Sequence, residues 1–260
     1  MTPTKTLRRA AWLALLLFAR NSILNAQMDT IVDPAKTAQA RSEEEFDYYL
    51  EIVSAPDATQ TLARVEAFTT RFPRSELLSA AYRYRMHAYE QLNDFSGMLA
   101  AGRKVLSQNP DDINTLLTLA PAMATRASGR PDREQLLSEA EQDATHALTE
   151  IEATRISRKV SRAQWSLERR QMESEAHGAL GIVALQKKDT EAAIREFKTA
   201  INLAPQPQGV LFLRLGLALS TTAKDQAQDN FRKAEELGPD AVRRSASEES
   251  RRLSQNTLPR

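Results

Sequence analysis

The sequence predicts an all-α protein made of repeated helix-turn-helix pairs, and three observations predict it. Eight glycines, 11 prolines and 6% aromatic residues in 260 positions leave few turn formers and few strand formers. That composition excludes a sandwich or barrel assembled from many short strands. An apolar share of 42% against 27% charged suits a folded globular chain and excludes a disordered one. Aromatic, small and proline residues then recur at a fixed interval: Phe197 to Phe231, Ala200 to Ala234 and Pro205 to Pro239 are each 34 positions apart.

Residues 1–26 stand outside the repeat. Lys5, Arg8 and Arg9 precede an unbroken apolar stretch from Ala10 to Ala19, and Leu24, Asn25 and Ala26 offer a small-residue cleavage site before Gln27. This is the pattern of a secretory signal peptide. The apolar stretch is too short to cross a bilayer as a helix, which takes about 20 residues. The expectation is a chain processed at Gln27 and located in the periplasm or outside the cell, with retention as an uncleaved anchor the alternative. Cleavage removes Lys5, Arg8, Arg9 and Arg20 and no acid, turning 35 basic against 34 acidic residues into 31 against 34. Such a balance gives no reason to expect nucleic acid as a partner. The chain has no cysteine, which excludes disulfides, thiolate metal sites, a cysteine nucleophile and lipid attachment at the cleavage point. Residues 27–42 show no sustained apolar period and are expected to form a flexible leader.

From residue 43 to residue 240 the chain reads as about five units. Phe46, Tyr49, Ile52, Val65, Phe68 and Pro73 mark a degenerate first unit. The second starts near Ser79, carries Tyr82 and Tyr89, turns at Asn93 and Asp94 and closes at Pro110, with Gly102 where an aromatic residue stands in later units. A third begins at Asp112, contains Pro121 in its first helix, where a kink is expected, and is interrupted around Ser128 to Asp132. It resumes with Ala140, Ala144 and Ala147.

A helical insertion follows near 153–173, where Ser161 and Gln164 fit a capping box and start a new, unusually long helix. Trp165, Met172, Ala176 and Leu180 then fall on one stripe. Residues 155–170 hold Arg155, Arg158, Lys159, Arg162, Arg169 and Arg170 against Glu168. They read either as a docking patch for an acidic partner or as a solvated helix face.

The fourth unit is the clearest, with Leu180, Gly181, Ala193, Phe197, Ala200 and Pro205, and the fifth repeats it with Leu215, Gly216, Ala227, Phe231, Ala234 and Pro239. Gly181 and Ala193 let two helices approach, Phe197 fills the space between them, Lys188 and Asp189 make the turn, and Pro205 ends the second helix. Gly181 and Gly216 are 35 apart, which places one lost residue in the interhelix turn of the fifth unit. Residues 241–260 form a charged C-terminal helix or tail.

These six positions at one period resemble the tetratricopeptide repeat. The stretch from Arg71 to Tyr89 is similar to the variant repeats of exported bacterial envelope members. The resemblance implies a right-handed superhelical solenoid whose first helices line a concave groove, and a noncatalytic module or scaffold that binds a peptide or protein segment there. Some members grip a terminal carboxylate with Lys and Asn on their first helices. The matching positions here are Arg83 and His87 in unit two but Gly178 and Ile182 in unit four, so that clamp is not reproduced. The projected groove positions are instead Phe46, Leu50, Leu117, Ile182, Leu185, Leu213 and Leu217. They read either as an apolar ligand surface or as packing between neighbouring repeats.

No enzyme signature accompanies this. His87, His146 and His177 lie far apart without the spacing of a metal motif, and Gly178 and Gly181 sit inside a helix rather than in a phosphate loop. The acidic runs, such as Glu43 to Glu45, are helix surface. No cofactor, metal or catalytic residue is expected. A different class of function stays open: a self-associating structural envelope protein using the long helix from Ser161 and the C-terminal tail, where Arg243, Arg244, Arg251 and Arg252 alternate with Glu248 and Glu249.

Overall fold

The structure is a computed structural model that describes residues 38–154 and 160–255. Among them the chain forms helices α1 (Glu43–Val53), α2 (Ala58–Arg71), α3 (Leu78–Gln91), α4 (Phe95–Gln108), α5 (Ile113–Arg126), α6 (Arg133–Ala153), α7 (Arg162–Gln186), α8 (Thr190–Leu203), α9 (Gly209–Leu219), α10 (Lys224–Leu237) and α11 (Asp240–Gln255), and no strand. They pack in chain order as five hairpins, α1/α2 to α9/α10, with α11 laid over the last. The expected segments 1–26 and most of 27–42 lie outside the described residues, as do Arg155, Arg158 and Lys159 of the basic cluster.

Local chemistry sets the helix starts. Ser42, Asp57, Asp94, Asp112, Ser161 and Asp189 each accept a hydrogen bond from the backbone N–H three residues on, which satisfies a donor the first turn leaves open. The cap expected at Ser161 is among them, with Gln164 N 3.1 Å from its hydroxyl. The tight turns of hairpins two and four are alike. Asn93 and Lys188 take positive φ, 57° and 64°, and the backbone N–H groups of Asp94 and Asp189 donate back to the carbonyls of Tyr89 and Ala184, closing the first helix with a left-handed residue.

Hairpin five differs. Its first helix ends at Leu219, three residues past Gly216, whereas α7 continues five past Gly181, and residues 220–223 join it to α10. The residue lost from the 34-residue period therefore came out of the last turn of α9 and not out of the connecting loop, because the shorter helix needs a longer link and lacks the left-handed residue.

Hairpins two, four and five close by setting a glycine against a ring. A Cβ at Gly181 would stand 2.6 Å from the Phe197 ring, and one at Gly216 2.5 Å from Phe231, and both phenylalanines are fully buried. In hairpin two the partners exchange helices: Gly97 on α4 faces Tyr89 on α3. Gly102, where a ring is absent, receives Leu119 from α5 instead.

The insertion is part of the core. α7 packs on both α5 and α6, and Trp165, Met172 and Ala176 join Leu116, Leu117, Ala147 and Ile151 in one buried cluster. α5 runs through Pro121 without interruption. The C-terminal segment is a helix that buries Ala246 and rests Val242 and Leu253 on the core, as a terminal helix does when it shields the last repeat from water.

Candidate functional site

The first helices of the hairpins, α1, α3, α5, α7 and α9, carry all the candidate groove residues. On α1 one side faces inward: Ile52 is fully buried, and the Tyr49 ring stands edge-on to Phe68 at 6.1 Å and to Tyr84 at 6.2 Å, carrying hairpin one onto α3. The other side is apolar and open. Phe46 is 49% exposed and Leu50 43%, and the same stripe continues to Val53 at 44%. Spacings of four and three place all three on one face of the helix. The remaining exposed large apolar residues, Leu92, Leu167 and Leu237, are scattered singly, as on most protein surfaces. Val53 is absent from the sequence-derived set, although extending the Phe46–Leu50 stripe by one turn finds it.

On α3 the two polar candidates are already engaged. Arg83 Nη1 stands 2.8 Å from Asp112 Oδ2 in a largely buried ion pair, and the same aspartate caps α5 through Thr115 N at 2.9 Å. Arg83 therefore ties hairpin two to the start of hairpin three instead of reaching into a groove. His87 Nδ1 lies 3.2 Å from Glu90, and that hydrogen bond holds the Glu90 carboxyl below its usual range against the opposing effect of burial.

Further along, the structure withdraws two apolar candidates. Leu117 is only 7% exposed, under Trp165 and Met172 of the inserted helix segment, and Ile182 is 5% exposed within the main core. Both pack within the protein: the extension of α7 covers Leu117, and the main core takes up Ile182. Leu185, Leu213 and Leu217 are half-buried and pack against the same core, each keeping part of its side chain accessible. Glu175, on the same helix as Ile182 and Leu185, is solvent-accessible, yet burial pushes its carboxyl up, with the Gln171 hydrogen bond opposing.

The histidines gain partners that spacing alone did not give them. His177 Nδ1 lies 2.7 Å from Glu196. His146 Nε2 stands 3.0 Å from Asp111 and 3.6 Å from Glu150, and the three ligand atoms lie within 4.8 Å of one another, a set able to hold a metal ion. Glu150 is visible in sequence as i+4, but Asp111 arrives from the turn before α5. Of the basic cluster, Arg169 pairs with Glu173 at 2.7 Å, and Arg170 donates to the carbonyls of Leu203 and Asn202 at the end of α8. These two are occupied within the chain. No described helix is long and apolar enough to cross a membrane.

Consecutive helix hairpins, glycine–ring closures and a faced row of first helices define a helical-repeat solenoid. The particular architecture is the tetratricopeptide-repeat fold, as similarity to solved structures shows. The chain superposes on PilW, described as a widely conserved type IV pilus biogenesis factor, with a TM-score of 0.53 and 18% identity over 76% of this chain and 78% of that one. It superposes on TTC0263, a thermophilic tetratricopeptide-repeat protein of Thermus thermophilus, with a TM-score of 0.50 and 16% identity over 79% and 97%. A third is MamA of Desulfovibrio magneticus, with a TM-score of 0.50 and 15% identity over 76% and 97%. At these identities the likeness is one of fold. No family model and no curated protein sequence matches the chain.

Proposed function

We propose that this chain is a noncatalytic docking module of the bacterial cell envelope that holds a segment of another protein against the first-helix face of its repeat array. The observation that carries the reading is the stripe Phe46, Leu50 and Val53, three large apolar side chains exposed together on one helix face. Leaving such a stripe in water forgoes about 1.5–3 kcal/mol per fully buried side chain, and contiguous exposed apolar surface marks sites of association. A partner segment presenting apolar side chains at helical or extended spacing fits it. Leu185, Leu213 and Leu217, on the later first helices α7 and α9, each keep part of an apolar side chain accessible and in this reading extend the docking surface. The envelope assignment rests on the export pattern of residues 1–26.

Self-association through the helix from Ser161 and the C-terminal segment is the weaker reading, because both spend their apolar faces within the chain. The test of the preferred reading is the double variant Phe46→Ser/Leu50→Ser. Since about half of each side chain is already covered, each loses about 1 kcal/mol of partner burial, and capture from envelope extract falls more than tenfold while helicity and melting stay as in the parent. Undiminished capture refutes the reading. The corresponding change at Leu185 and Leu217 is less informative, since both also support the core and their loss lowers the melting temperature.

A further inference from the structure

We infer that Asp111, His146 and Glu150 form a binding site for a divalent transition-metal ion of the zinc type, clamping the turn before α5 onto α6. The three groups come from two places in the chain. His146 and Glu150 are one turn apart on α6 and project from the same face. Asp111 lies in the turn between α4 and α5, and its backbone is fixed by its neighbour: Asp112 N donates to Asn109 O at 3.2 Å, and the Asp112 carboxylate is held by Arg83 and Thr115 N. The site thus rests on a braced turn and the middle of a helix, not on mobile loop ends.

The distances suit an ion. Zinc binds imidazole nitrogen and carboxylate oxygen at about 2.0–2.2 Å, so two ligands sharing it in tetrahedral or octahedral geometry stand roughly 3–3.5 Å apart. The separations from His146 Nε2 to Asp111 Oδ1 and Glu150 Oε1 are 3.0 and 3.6 Å, so small side-chain adjustments bring all three into coordination. Hydrogen bonding satisfies the group less well: Nε2 carries at most one proton, which serves Asp111 and leaves Glu150 at 3.6 Å beyond hydrogen-bond distance. Among the described residues no Lys or Arg forms an ion pair with either carboxylate, so two anionic groups share one imidazole. One nitrogen with two oxygens selects zinc, cobalt, nickel or manganese over magnesium or calcium, which take oxygen ligands. The Asp111 side chain is largely open to solvent, leaving room for water to complete the coordination.

The experiment uses the untagged mature chain, stripped with a chelator and titrated with zinc chloride by calorimetry, with cobalt(II) as a spectroscopic probe. The expected results are one ion per chain, a visible cobalt ligand-field band, and a zinc-dependent rise in melting temperature of several degrees. Affinity falls at least tenfold in both Asp111→Asn and His146→Ala but not in His87→Ala, with all three variants showing the parent circular-dichroism spectrum. Absence of saturable binding overturns the inference, as does one-to-one binding that His146→Ala and Asp111→Asn leave unchanged.

Discussion

Replacing Phe197 with Ala in the fourth hairpin tests the packing logic of the array, and pairing it with Gly181→Ala makes the test decisive. Phe197 is fully buried, and truncating such a ring costs about 3–5 kcal/mol. Gly181→Ala alone has two opposed effects. A mid-helix Gly→Ala exchange gains about 1 kcal/mol of helix propensity, but the new Cβ would stand 2.6 Å from Cδ1 and Cε1 of the Phe197 ring and 3.0 Å from its Cγ. The ring cannot swing clear when its root atom is also crowded, and overpacking of this kind costs about 1–3 kcal/mol. Gly181→Ala therefore changes stability by about 0 to −2 kcal/mol in the parent chain. In the Phe197→Ala background the clash is gone and only the propensity gain remains, so the same substitution raises stability by up to about 1 kcal/mol. The assay is urea unfolding of the four chains followed by circular dichroism, with attention to loss of two-state behaviour in a repeat array. An effect of Gly181→Ala equal in both backgrounds within about 0.5 kcal/mol refutes the glycine–ring interlock.

Three further outcomes follow from single sites. Burial, reinforced by Glu139 and opposed by His146 and Arg103, raises the Asp143 carboxyl from 3.8 to about 6. The folded chain thus binds this proton more tightly than the unfolded one, and stability falls as pH rises through that window. Asp143→Asn then stabilises the protein at pH 8 by about 1–2 kcal/mol after solvent screening but hardly at pH 3, and equal melting gains at both values would contradict this. Trp165→Ala, by emptying the lid over Leu117, lowers stability by about 3–5 kcal/mol, whereas a freely solvated insertion would leave the thermal midpoint unchanged. Arg83→Ala strands the buried Asp112 carboxylate and costs up to about 3 kcal/mol while leaving partner capture by the folded chain intact; lost capture at unchanged stability would instead make Arg83 a ligand anchor.

The fold was legible because its determinants are local and periodic. Phe197, Phe231 and their glycines repeat at a fixed interval, and Ser161 with Gln164 announces a helix start within four residues. What the sequence obscured depends on contacts between distant segments. Leu117 and Ile182 occupy groove positions by repeat register, but the extension of α7, which no repeat pattern anticipates, covers the first, and the main core absorbs the second. Arg83 reads as a groove cation until Asp112, 29 residues on, is seen to hold it. The Asp111–His146 pair spans 35 residues and has no signature in spacing. Phe46 and Leu50, which repeat register assigns to the groove, are exposed on α1, the first helix of the described array.

The most direct test of the docking account is photo-crosslinking in living cells, with a benzophenone amino acid placed at position 46 or 50 on the first-helix stripe, or at position 198 on the exposed side of α8 as a control. The account predicts a discrete crosslinked species, of the same mass from positions 46 and 50, that is absent from position 198. Equal yields from all three positions, or none from 46 and 50 in cells where the protein is folded and exported, would contradict it.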